Sequence, residues 1–199
     1  MSMLRFTHKE SGKHRRIWVA LVIFAVALAT ASVFVGSGLY LRILYDFKES
    51  SFENSEVTGT LSNGKVTLSS GDCVIFETDK DILVQDAMLM NLDRAKGDEL
   101  VVLCWKRGHF GKHRPFWIKK DTKAFVQHIY IYDIRDQNLS AGQNDSKSEK
   151  EIVVKPKWMA SDIGLKAKSM DKDGRFIVIT DTKGVKTKWY WESFGLTRK

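Results

Sequence analysis

The sequence predicts an all-β domain, a sandwich or barrel of about nine to ten short strands, behind one N-terminal transmembrane α-helix. Three observations carry that expectation. Residues 17–41 read IWVALVIFAVALATASVFVGSGLYL without one charged side chain. From residue 56 onward, short β-branched and aromatic runs alternate with turn residues. Nothing in that region shows a convincing helical period.

The apolar stretch comes first. At the rise of an α-helix it extends about 37 Å, more than the roughly 30 Å hydrocarbon core of a bilayer. A soluble helix of this length keeps a polar face, and this one has none. Residues 1–16 carry Arg5, Lys9, Lys13, Arg15 and Arg16 against Glu10, a net +4. The positive-inside rule therefore assigns 1–16 to a basic cytoplasmic tail, 17–44 to a signal anchor, and the rest of the chain to the periplasm, a lumen or the exterior. Trp18, Tyr40 and Tyr45 suit the two interfaces. Cleavage before Ser32, after Ala29-Thr30-Ala31, is the competing reading. It is disfavoured because apolar sequence continues to Leu44. Ala25 and Ala29, like Ser32 and Gly36, are small residues four apart, a spacing that lets helices approach closely in lipid. Alanine is also simply common in such helices.

Residues 45–55 read as a linker and 56–195 as the β domain. Val57–Leu61 and Lys65–Leu68 flank Asn63-Gly64, a hairpin signal because both turn positions favour positive φ. Cys73–Thr78 and Ile82–Gln85 follow. Residues 86–95 are ambiguous between strand and helix. Leu100–Lys106 is a continuous apolar run, as expected of a strand covered on both faces. Phe116–Lys119 and Ala124–Ile134 are the next strands. Residues 135–150, RDQNLSAGQNDSKSEK, read as a polar flexible loop with sequons at Asn138 and Asn144. Ile152–Trp158, Leu165–Met170, Arg175–Thr180 and Val185–Trp191 complete the domain, the last three as a meander turning at Asp173-Gly174 and Lys183-Gly184.

Composition limits function. At 199 residues and 43% hydrophobic, the chain can bury a core, which excludes global disorder. Two cysteines exclude a disulfide-dense scaffold and a four-cysteine zinc site. Cys73 and Cys104 read either as one disulfide, in an oxidising compartment, or as two buried thiols. No CxxC, GxSxG, Walker loop, GxGxxG or HExxH occurs, so no catalytic residue, cofactor or metal is nominated. Asp171-Lys172-Asp173-Gly174 resembles the start of a calcium loop but lacks its later ligands, and reads as a turn.

The densest feature is WKRGHFGKHRPFWIKK at 105–120. Lys106, Arg107, Lys112, Arg114, Lys119 and Lys120 interleave there with Trp105, Phe110, Phe116 and Trp117. Cations beside aromatic rings suit anionic headgroups, phosphate, acidic proteins or stacked bases. The bland reading is a solvated hairpin tip between core strands. His109 and His113, with His128 in a strand, have no helix to align them for a metal. Trp158, Trp189, Tyr190, Trp191 and Phe194 read mostly as core.

The net charge of +8 is uneven. Residues 45–101 hold 5 basic and 12 acidic side chains, and residues 102–199 hold 21 and 11. The leading expectation is a non-catalytic bitopic scaffold or assembly subunit whose β domain docks partner proteins. Its partners would be the lipid bilayer, other membrane or extracytoplasmic proteins and a second copy of itself, and not nucleic acid. The alternatives are a tethered binding module for an anionic lipid, glycan or metal through the 105–120 loop, and a tethered enzyme of unrecognised type.

Overall fold

The protein is described by a computed structural model that covers residues 11–95, 97–110, 115–136, 151–159 and 163–199. Two compact units divide after Leu44. In the first, α1 (Ser11–Ser37) is a single uninterrupted helix. Its segment Arg16–Ser37 is long and apolar enough to cross a membrane, and none of it is buried by protein. The hydroxyls along it are satisfied internally. Thr30 Oγ1 donates to the Ala27 carbonyl at 2.9 Å, Ser32 Oγ to Leu28 at 2.8 Å and Ser37 Oγ to Phe34 at 3.1 Å. That pattern would lower the cost of placing these hydroxyls among hydrocarbon. Gly38, at φ 75°, ends the helix, and α2 (Leu39–Leu44) follows it.

Among the described residues, the second unit has twelve strands in three four-stranded antiparallel meanders. The first sheet is β1 (Ser50–Glu53), β2 (Thr58–Ser62), β3 (Lys65–Ser70) and β4 (Cys73–Glu77). The central sheet is β5 (Leu83–Met90), β6 (Glu99–Arg107), β7 (Phe125–Asp136) and β8 (Ile152–Met159). The third is β9 (Ala167–Asp173), β10 (Phe176–Asp181), β11 (Lys186–Glu192) and β12 (Gly195–Arg198). Strands adjacent in sequence are adjacent in each sheet, so every pairing is local.

Strand periodicity explains how three sheets pack. On β6, Leu100, Val102 and Cys104 point to one face and join a core with Val57 and with Leu61, Val66 and Leu68 of the first sheet. Val101 and Leu103 point to the other face and meet Ala167, Met170, Ile177 and Ile179 of the third. All five β6 residues are fully buried. The apolar run is continuous because both faces of the central sheet are covered. Burying each such side chain stabilises the fold by about 2 kcal/mol, so one uncovered face would be unfavourable. The expectation of a β domain behind one apolar helix holds in this coarse form. The layers number three, with two separate cores.

A bulge between Val84 and Asp86 shifts the phase of β5. Val84 faces the first core, and after the bulge so do Ala87 and Leu89. The extra residue, Gln85, is turned the opposite way, onto the third sheet. Its Nε2 donates to the carbonyls of Ala167 at 3.3 Å and Lys168 at 2.7 Å. Its Oε1 accepts from Trp105 Nε1 at 2.8 Å and Gln127 Nε2 at 2.7 Å. Gln127 also donates to the Ala167 carbonyl at 2.8 Å and accepts from its N–H at 2.7 Å. Both amides are buried, and their bonds tie the central sheet to β9.

Several elements differ from the sequence expectation. The segment 45–55, read as a linker, contains β1 and Lys48. Lys48 donates its backbone N–H to the Gln85 carbonyl at 2.9 Å, and its Nζ lies 2.6 Å from Asp86. Burial raises the Asp86 carboxyl above its ordinary value, against the pull of Lys48. The ambiguous 86–95 stretch continues β5 to Met90 and then becomes loop. The strand expected at Phe116–Lys119 is absent, replaced by a turn in which the Ile118 N–H donates to the Pro115 carbonyl at 3.0 Å. The final meander has a fourth strand, β12. The Asn63-Gly64 turn forms as expected, with φ 52° and 74°. Asp171–Gly174 belongs to the β9–β10 hairpin, where Asp173 pairs with Lys188 at 2.6 Å. The 135–150 loop with its sequons lies outside the described residues from 137 to 150.

Candidate functional site

The basic and aromatic residues at 105–120 divide into two groups. Trp105 is core, only 4% exposed, and packs against Tyr45 with ring centroids 4.5 Å apart. Lys106 pairs with Asp81 at 3.2 Å. Arg107 donates to the Lys123 carbonyl at 2.8 Å and lies 4.5 Å over the Phe125 ring. These three therefore fasten the strand end.

The loop base is closely bonded. Gly108 takes φ 78°, and a Cβ there would come within 2.4 Å of Asp121 Oδ2. Asp121 accepts from the N–H groups of His109 at 2.9 Å, Phe110 at 3.0 Å and Thr122 at 2.8 Å. His128 is buried with its Nε2 3.1 Å from the Gly108 carbonyl. A carbonyl only accepts, so that nitrogen carries the proton and donates.

The tip is different. Phe116 is 94% exposed and Trp117 67%, with their rings edge to face at 4.8 Å. Lys119, Lys120 and Lys123 are exposed beside them. Asp121 is the only acidic residue from 105 to 124, and its oxygens are taken up by backbone N–H groups. The tip thus presents two uncovered aromatic rings in a field of positive charge. Lys112 and Arg114, with His113, lie outside the described residues.

Cys73 and Cys104 are free thiols. Cys73 is exposed on β4, and Cys104 is buried in the first core. The disulfide reading is thereby replaced: one thiol faces solvent while the other packs as a small apolar group. Burial pushes the Cys104 thiol far up. Ala25, Ala29, Ser32 and Gly36 all lie on α1, and a Cβ on Gly36 would meet nothing within 4 Å. Among the described residues, no three His, Cys, Asp or Glu side chains converge as a metal site requires.

The charge asymmetry acquires a geometry. Residues 46–81, which hold the first sheet, carry 3 basic and 8 acidic side chains. Residues 163–199, which hold the third, carry 9 and 4. The acidic and basic sheets cover opposite faces of the central one, so the domain is electrically polarised.

Sequence reading missed one further feature. A cavity of about 310 Å³ lies between Leu92–Arg94, Arg175 and Tyr190–Ser193. Next to it, Lys157 bonds to Asp93 at 2.5 Å and to Glu99, and its ammonium sits 5.2 Å from the Trp191 ring. Burial pushes the Glu99 carboxyl up, despite the N–H of Leu92 and Lys157 beside it. For Asp93, burial is outweighed by the bonds from Lys157 and the Ala95 N–H, and its carboxyl is lowered. Residues 92–94, 175 and 190–193 are too far apart in sequence to form a motif. Only the pairing of sheets brings them together.

Comparison of the chain with protein families, with characterised proteins and with solved structures found no match.

Proposed function

We propose that this protein is a single-pass, membrane-anchored, non-catalytic scaffold whose β domain stands outside the cytoplasm and docks partner proteins through the β6–β7 loop tip. The observation that carries the reading is the exposed Phe116–Trp117 pair beside Lys119, Lys120 and Lys123. Exposed aromatic anchors rimmed by charge are the composition of interaction hot spots. Isolated exposed apolar residues are ordinary, but two large rings in contact and both largely exposed are not. The helix supports anchoring through its length, its internally bonded hydroxyls and the basic residues before it. Its small-residue spacing, with the polarised domain, also suits association of two copies.

A second reading, favoured by the lysines alone, has the same tip bind anionic lipid. One set of proteins separates the two. Full-length wild type and a quadruple variant, Phe116→Ala, Trp117→Ala, Lys119→Glu and Lys120→Glu, are gently crosslinked in their native membrane. Each is also assayed on liposomes containing anionic lipid. Scaffold docking predicts protein crosslinks in wild type that fall about tenfold in the variant, with liposome binding little changed. Wild type that runs only as an isolated monomer, or a variant with the same crosslinks, contradicts it. Loss of liposome binding alone selects the lipid reading.

A further inference from the structure

We propose that the cavity between the β5–β6 loop and the β11–β12 turn binds a small phosphate-bearing molecule through Arg94 and Arg175. The first observation is cationic charge without a carboxylate partner, Arg175 having only the Phe176 ring 5.9 Å from its guanidinium. Both arginines line the cavity, and neither has a carboxylate within ion-pair distance among the described residues. The lining carboxylates are in a different state. Asp93 is held by Lys157 and by the Ala95 N–H at 2.8 Å. Glu192 accepts only the Tyr190 hydroxyl, at 3.3 Å. Two arginines offer planar donor forks that fit phosphate oxygens, and a dianion matches both charges.

The second observation is the backbone. Among the described residues only Asn63, Arg94 and Ser193 combine a side chain with positive φ, and the last two line this cavity. Asn63 and Ser193 are first residues of two-residue hairpin turns, which accounts for them. Arg94, at φ 66°, sits in a longer loop where glycine or asparagine would be unstrained. The loop is nonetheless held firmly. Asn91 Oδ1 accepts from the Arg94 N–H at 2.9 Å, and Asn91 Nδ2 donates to the carbonyls of Ala95 and Gly97 at 2.5 Å each. A strained position kept for a long cation beside an open cavity is explained by what that cation binds.

The third observation is size. About 310 Å³ accommodates a phosphate with a small organic group, and Tyr190 and Trp191 supply aromatic wall for that group. A soluble phosphate ester and a phospholipid headgroup share this chemistry.

The test uses full-length protein in nonionic detergent, titrated calorimetrically with inorganic phosphate, glycerol phosphate and short-chain phosphatidylglycerol. Wild type should bind at least one of them. Binding of glycerol phosphate without the lipid identifies a soluble ester, and binding of the lipid as well identifies a headgroup. Arg94→Gly removes the cation and relaxes the backbone together. It should lose about tenfold in affinity while its thermal midpoint stays at or above that of wild type. Arg175→Gln should lose a similar factor. Glu192→Gln removes the one lining carboxylate not tied to a lysine and should tighten binding several-fold. No binding of any probe by wild type overturns the proposal, as does wild-type affinity in both arginine variants or weaker binding by Glu192→Gln.

Discussion

Lys157→Met should destabilise the domain by about 3 kcal/mol, because it strands two carboxylates that the fold has taken out of water. Lys157 is 12% exposed, Glu99 3% and Asp93 19%. That loss is at the low end for breaking a buried pair because Asp93 keeps some solvent. The lysine reaches both carboxylates from β8, and Glu99 in turn accepts the Leu92 N–H at 2.8 Å. The network therefore closes the β5–β6 loop over the edge of the second core.

The two carboxylates raise Lys157 above its ordinary 10.5, despite burial, so its contribution persists through neutral pH and is lost as pH rises past the folded value. In the variant, Glu99 has lost its cation, and burial pushes its carboxyl higher still. The native state then binds a proton that the unfolded chain, near 4.5, does not. Stability of the variant relative to wild type should therefore recover as pH falls from neutral toward about 5. Urea unfolding at the two pH values measures it. A penalty that stays constant would mean that Glu99 is not the stranded group. Adding Glu99→Gln should restore part of the loss at neutral pH.

Gln127→Leu should cost a similar amount, about 3 kcal/mol, by a different route. The volume is nearly conserved, so packing changes little. The Ala167 N–H, in the second core, loses its acceptor and has no water to replace it. Gln85 Oε1 keeps only its bond from Trp105. Each buried group left unpaired costs about 1–3 kcal/mol. The loss should be concentrated where the third sheet joins the central one. Hydrogen exchange at Ala167 and along β9 should accelerate more than in β2 and β3. A loss below about 1 kcal/mol, or acceleration spread evenly, would show that apolar packing alone holds the third sheet.

What could be read in the sequence follows from how local each signal is. The Asn63-Gly64 hairpin, the apolar run of β6 and the helix are dictated by residues within a few positions of one another. So is the meander of β9 to β11, with its turns at Gly174 and Gly184. The number of sheets is not local. Alternation shows that β6 has two apolar faces, and which strands cover them depends on pairing across the whole domain. β1 was hidden because SSFE is a short edge strand with half its side chains in water. Phe116 and Trp117 resembled strand residues by composition, whereas they stand at a loop tip in solvent. For the candidate site, the sequence marked Lys106, Arg107, Lys119 and Lys120 alike. The fold separates them into two fasteners and two exposed cations. The bulge that turns Gln85 inward, and the cavity beside Arg94, come from register and have no sequence motif.

The functional reading rests on the domain from residue 45 standing outside the cytoplasm. The protein carries its own reporter, because Cys73 is exposed and Cys104 is buried. Intact cells bearing the full-length chain are treated with a membrane-impermeant thiol reagent, with Cys73→Ser as control. The account predicts one label per chain, on Cys73, without permeabilisation, and none in the control. Labelling of Cys73 only after the membrane is opened would place the domain in the cytoplasm and contradict the account.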